Sequence, residues 1–72
     1  MLPSPLIREL RAIREELGQT QGYLATTLGV NRSMLGEWEN GTHSPTLRNV
    51  ERWAKALGYE LDLHKVKEPS HV

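Results

Sequence analysis

The chain has 72 residues, no cysteine, and equal counts of basic and acidic side chains, nine of each. That allows one small domain at most, excludes disulfides and thiolate metal sites, and leaves stability to helix packing, a partner subunit, or both. No apolar run approaches membrane-spanning length and Met1 to Pro5 lacks the make-up of a leader peptide, so a soluble cytoplasmic protein is expected.

The charge is unevenly spread. Arg8, Arg11, Arg14, Arg32, Arg48 and Arg52 fall before residue 53, while Glu60, Asp62 and Glu68 load the end with acid. A zero net charge counts against nucleic-acid binding, but the part before residue 58 is more basic than the whole.

The first predicted helix runs from Pro5 to Leu17, with Ser4 as N-cap and Pro5 at the position where a missing N–H costs nothing. Leu6, Leu10, Ile13 and Leu17 form its expected apolar stripe, and Gly18 ends it. The second runs from Gln21 to Leu28, capped by Thr20, with Leu24, Ala25 and Leu28 facing inward and Gly29 allowing a tight turn. The third runs from Arg32 to Glu39, capped by Asn31 and stopped by Asn40-Gly41. Its inward pair is Leu35 and Trp38. Gly36 lies mid-helix at a cost of roughly 1 kcal/mol against alanine; a closely approaching surface and a weakly constrained exposed position both account for it. The fourth runs from Leu47 to Leu57, capped by Thr46, with Leu47, Val50, Trp53, Ala54 and Leu57 inward.

Tyr59 to His64 then alternates apolar and polar with period two, which is a strand pattern. A lone strand leaves its N–H and C=O groups unpaired, so the same strand of a second subunit is the simplest partner. Folding back on the subunit's own helices is the other solution. The expected organisation is a helical unit over residues 1–58, a strand over 59–66 and a flexible tail over 67–72.

The segment Gln21 to Glu39 carries the functional signal. Two short helices joined by a tight glycine turn must cross steeply to share one core. Ala25 is the small contact residue, and Leu24, Leu28, Val30, Leu35 and Trp38 supply the buried set. Arg32, Ser33, Gly36 and Glu37 are then turned outward, the geometry in which a second helix fits the major groove of DNA.

With these residues in place, the chain resembles the Cro/cI-repressor type of helix-turn-helix, also called xenobiotic-response-element-like regulators. The likeness spans Leu6 to Gly58. It is carried by Arg14 with Glu39, Thr20-Gln21, Leu24-Ala25, Leu28-Gly29-Val30, Leu35, Trp38-Glu39-Asn40-Gly41 and Pro45-Thr46-Leu47. It implies an all-α, lambda-repressor-like domain of four helices, here followed by one short C-terminal strand. That strand resembles those of helix-turn-helix antitoxins and small phage regulators.

The resemblance also implies roles. Asn31, Arg32, Ser33, Met34 and Glu37 would approach base edges. Arg32 would be bidentate to guanine and Glu37 would accept from cytosine, or else discourage phosphate; Met34 would touch a thymine methyl. Gln21, Asn40, Thr42 and His43 would contact the phosphate backbone. Arg14 and Glu39 would pair inside, and Tyr59, Leu61 and Leu63 would form the dimer contact. Family members often carry lysine or arginine where this chain has Glu37, Thr42 and His43. Fewer cations mean fewer phosphate contacts and a shallower salt dependence.

Catalysis finds no support. Ser4, Ser33, Ser44 and Ser70 have no base and orienting acid near them in the pattern. His43, His64 and His71 lack metal-ligand spacing. Trp38 and Trp53 fall on apolar stripes and read as core. The expectation is therefore a non-enzymatic regulator without cofactor, metal or small-molecule ligand. It would bind double-stranded DNA as a homodimer and repress by occupying a near-palindromic operator. An antitoxin that binds a toxin protein and autoregulates its operon is the alternative; a bridging protein and an RNA binder fit the residues less well.

Overall fold

The computed structural model describes residues 3–63 and 65. Four helices follow one another: α1 (Pro5–Glu16), α2 (Gln21–Leu28), α3 (Arg32–Asn40) and α4 (Leu47–Ala56). None of the described helices is long and apolar enough to cross a membrane.

Each helix begins at a short polar residue in extended backbone, whose side-chain oxygen accepts the N–H three residues on. Ser4 Oγ accepts from Ile7 at 3.2 Å, and Thr20 Oγ1 from Tyr23 at 3.0 Å. Asn31 Oδ1 accepts from Met34 at 2.7 Å, and Thr46 Oγ1 from Asn49 at 3.2 Å. A cap of this kind is worth about 1 kcal/mol, so four of them weigh heavily in a domain this small. α3 ends at Gly41, whose φ of +86° lies in the left-handed region where a Cβ would clash.

One core unites the helices. Ile7 and Leu10 of α1, Leu24, Ala25 and Leu28 of α2, Leu35 and Trp38 of α3, and Val50, Trp53, Ala54 and Leu57 of α4 and its cap are buried together. Trp38 and Trp53 meet with ring centroids 6.2 Å apart, tilted by 31°. α2 packs on both α3 and α4, and α1 packs on α3. α2 thus supports α3 and α4, and α1 is set on α3.

Two apolar stripes differ from those expected. On α1 the inward residues are Ile7, Leu10 and Arg14, while Leu6 and Leu17 are exposed and Ile13 is only half-buried. The face turns by one residue because Arg14 goes inside to meet a carboxylate. On α4, Leu47 is 71% exposed; it occupies the first turn, beyond the reach of the core. The helices also end slightly off expectation, α1 at Glu16, α3 at Asn40 and α4 at Ala56.

After Gly58 the described residues, 59–63 and 65, are neither helix nor strand. Among the described residues, none forms a ladder with Tyr59–Leu63. Leu61 folds back against the core while Tyr59 and Leu63 stay exposed, so the three residues expected to share one strand face divide between core and solvent. His64, Val66 and the tail 67–72 lie outside the described residues.

Candidate nucleic-acid interface

The turn between α2 and α3 is built from backbone. The Val30 N–H donates to the Ala25 carbonyl at 3.0 Å and the Gly29 N–H to Thr26 at 3.2 Å. Gly29, at φ +73°, closes α2. The Arg52 guanidinium of α4 donates to the Leu28 carbonyl, giving a cationic partner to the end of α2, where the helix dipole favours one. Ala25, buried at the contact, keeps the helices close. Asn31 then starts α3 with a new cap. The sequence places two stops, Gly18 and Gly29, and two starts, Thr20 and Asn31, within fourteen residues, and the short steeply crossed pair follows from them.

With Leu35, Trp38 and Glu39 turned inward, α3 presents an outer face of Arg32, Ser33, Met34 and Asn40, with Gly36 and Glu37 half-buried beside them. Met34 is 39% exposed. The Arg32 stem lies over the start of α2: a Cβ on Gly22 would stand 3.8 Å from Arg32 Cδ. Gly22 thus gives Arg32 a flat seat from which its guanidinium extends.

A polar network fixes this helix pair to α1. Arg14 Nε donates to Glu39 Oε2 at 2.7 Å and Arg14 Nη2 to Glu39 Oε1 at 2.9 Å. Arg14 Nη1 donates to the Gln19 carbonyl at 2.6 Å, and Gln21 Nε2 donates to Glu39 Oε1 at 2.9 Å. Arg14 and Glu39 are both buried, and the planar fork matches the carboxylate edge. α1, the start of α2 and the end of α3 therefore share one anchor.

Gln21, expected at a phosphate, lies at the start of α2. Its side-chain amide donates inward to Glu39, while the Tyr23 N–H of the same turn is taken by the Thr20 cap. Gly36 lies beside that amide: a Cβ there would sit 3.7 Å from Gln21 Oε1, an ordinary contact distance. The residues after α3 are organised among themselves. Asn40 Oδ1 accepts from the Thr42 N–H at 2.8 Å and from its hydroxyl at 2.5 Å. Glu37, expected at a base edge, instead meets His43, expected at the backbone, with Oε2 to Nδ1 at 2.6 Å.

Gln19, Gly22, Arg52 and the Glu37–His43 contact were not evident from the sequence as parts of the site. Each acts through a partner distant in sequence or across a reversal of the chain. No group of three or more His, Cys, Asp or Glu able to hold a metal occurs among the described residues.

A family model described as helix-turn-helix matches residues 10–64 of the chain. An uncharacterized HTH-type transcriptional regulator of Methanothermobacter thermautotrophicus is 45% identical over 51 residues, covering 71% of this chain and 74% of that protein. The crystal structure of the restriction-modification controller protein C.AhdI from Aeromonas hydrophila superposes with a TM-score of 0.71 at 34% identity, over 76% of this chain and 83% of that one.

Proposed function

The chain belongs to the helix-turn-helix family of DNA-binding transcriptional regulators, and on that premise we propose that it is a sequence-specific repressor acting as a homodimer on a near-palindromic operator. One observation carries the reading. α3 buries its apolar residues and leaves Arg32, Ser33 and Met34 exposed at its capped N-terminal end, the end that enters the major groove in this motif. Arg32 reads a guanine, Ser33 and Asn31 flank it, and Met34 meets an apolar base edge. Asn40, Thr42 and the first turn of α2 hold the backbone.

The dimer is supported by where the remaining apolar surface gathers. Leu6, Leu47, Leu61 and Leu63 line one groove, with Glu51 and Asp62 beside them. Leu47 is 71% and Leu63 95% exposed, and a second copy would cover them. Half-sites then lie about 34–36 Å apart, one helical turn of DNA. The likeness to a restriction-modification controller protein supports a regulator, acting in the cytoplasm where its DNA lies.

The test is selection of bound duplexes from a random pool at two salt concentrations. Enrichment of a two-fold symmetric site supports the proposal. A single enriched half-site rules out the dimer, and no enrichment at low salt rules out DNA reading.

A further inference from the structure

The nine residues of α3 span about 13 Å, and its two ends are held differently. Glu39, near the C-terminal end, is gripped by Arg14 of α1. Arg32, Ser33 and Met34 stand at the other end, and their direction depends on the turn that delivers them. That turn begins where the last carbonyls of α2 have no partner within their own helix. Ala25 and Thr26 are answered locally, by the Val30 and Gly29 N–H groups. The Leu28 carbonyl is answered from α4, by Arg52 Nη2. On its other side the same guanidinium donates from Nη1 to Asn49 Oδ1 at 3.3 Å, three residues back on α4. Its plane is thus set by two acceptors. A Cβ on Gly29 would stand 4.0 Å from Arg52 Nη2, so the guanidinium lies against the turn itself. Gly29 has no side chain with which to fix that turn, and glycine moves readily between conformations. The brace therefore comes from outside, from the helix on which α2 packs.

We propose that Arg52 is a positioning residue for base reading. By holding the Leu28 carbonyl it sets the direction in which α3 leaves α2, and so how squarely Arg32 and Ser33 meet base edges, without touching DNA itself. The inference rests on the DNA-binding reading above and deepens it. Base readout is the step most sensitive to angle, because a bidentate bond to a base edge needs both donors aligned. Phosphate contacts from long cations tolerate the same error. A loosened turn therefore costs discrimination before it costs general affinity. Arginine suits the task, since its planar fork joins the carbonyl and the Asn49 amide oxygen in one geometry. Lysine would bring the same charge to the end of α2 as a single flexible point.

The experiment measures affinity of the full chain for the duplex enriched by the selection above and for a scrambled duplex of equal length, at several salt concentrations and well below the melting temperature of each variant. Arg52→Met should lower the ratio of the two affinities about tenfold, with the scrambled duplex bound as before and the salt slope unchanged. Arg52→Lys should restore part of the ratio. Asn49→Ala frees the guanidinium without removing its charge and should lower the ratio about threefold.

Equal losses on both duplexes, with a salt slope shallower by about one, would make Arg52 a phosphate contact and overturn the proposal. So would an unchanged ratio in Arg52→Met, however far its melting temperature falls, because the brace would then serve the fold alone. Full recovery in Arg52→Lys would show that charge rather than direction sets the ratio, and overturns it too. If Arg52→Met does not fold, Arg52→Lys and Asn49→Ala decide, and a wild-type ratio in both sinks the proposal. Absence of any duplex preference in the wild-type chain at low salt overturns the DNA-binding reading itself, before a variant is made.

Discussion

The guanidinium of Arg14 grips the carboxylate of Glu39 through two hydrogen bonds, 2.7 and 2.9 Å long, joining α1 to the end of α3 in the interior of the protein. Gln21 adds a third donor to the same carboxylate. A buried pair is not in itself a large source of stability, because desolvation offsets much of the attraction. Removing one partner is different, since the other charge stays buried with only its lesser contacts, Gln21 and Arg11 at 3.9 Å for Glu39 and the Gln19 carbonyl for Arg14. Arg14→Met or Glu39→Leu alone should cost about 3–5 kcal/mol, comparable with the whole stability of a domain this size. The double variant should cost much less than the sum. Urea unfolding of the two single variants and the double variant measures this; additive losses would show that the pair acts as two independent side chains.

Glycines divide by backbone conformation. Gly36 sits in regular helix, and a Cβ there meets Gln21 only at ordinary contact distance, 3.7 Å. Gly36→Ala should therefore raise stability by about 1 kcal/mol through helix propensity. Gly41 is at φ +86°, so Gly41→Ala should lower stability by about 1–2 kcal/mol. Thermal melting of the two variants should shift in opposite directions. Comparing duplex affinity of Gly36→Ala with wild type then separates the two accounts of that glycine: a loss despite the gained stability marks a close approach of DNA.

The legibility of the fold in the sequence depended on how local the cause was. Ser4, Thr20, Asn31 and Thr46 could be read as caps because each act of capping spans three residues. The inward sets of α2 and α3 were legible because both stripes are apolar apart from Glu39. α1 was misread by one residue because its stripe includes Arg14, and counting apolar positions passes over a charge that is buried by a partner 25 residues away. Gln21 was assigned outward for the same reason: its acceptor lies 18 residues further on. The Glu37–His43 contact is short in sequence but depends on the reversal at Gly41, which periodicity does not describe. Leu61 was placed on a strand face with Tyr59 and Leu63, yet the core takes it alone.

Arg32 is the exposed cation at the start of α3, with its stem over Gly22. Arg32→Ala should weaken binding to the selected operator by about 1–3 kcal/mol per half-site and relax preference at one base position. Repeating the selection with the variant reads this directly. A uniform loss with unchanged base preference would make Arg32 a phosphate contact. Gly22→Leu tests the seat: the added side chain displaces the Arg32 stem and should reproduce part of the specificity loss without removing the charge.

Leu47 contributes little to the fold of the single chain, being 71% exposed at the first turn of α4, yet it lines one groove with Leu6, Leu61 and Leu63. A charge there should leave the monomer's packing intact and disturb only what covers the groove. Leu47→Asp is expected to melt as a monomer with its helix content preserved, while sedimentation equilibrium shows the mass falling from two chains to one. Operator affinity should fall with it, because one half-site then binds without the other, and the symmetric site should lose its advantage over an isolated half-site. Glu51 and Asp62 already border the groove, so Leu47→Lys should disrupt association less than Leu47→Asp. Equal effects would mean that area alone governs the contact. A dimer that survives both substitutions would place the subunit interface elsewhere on the molecule.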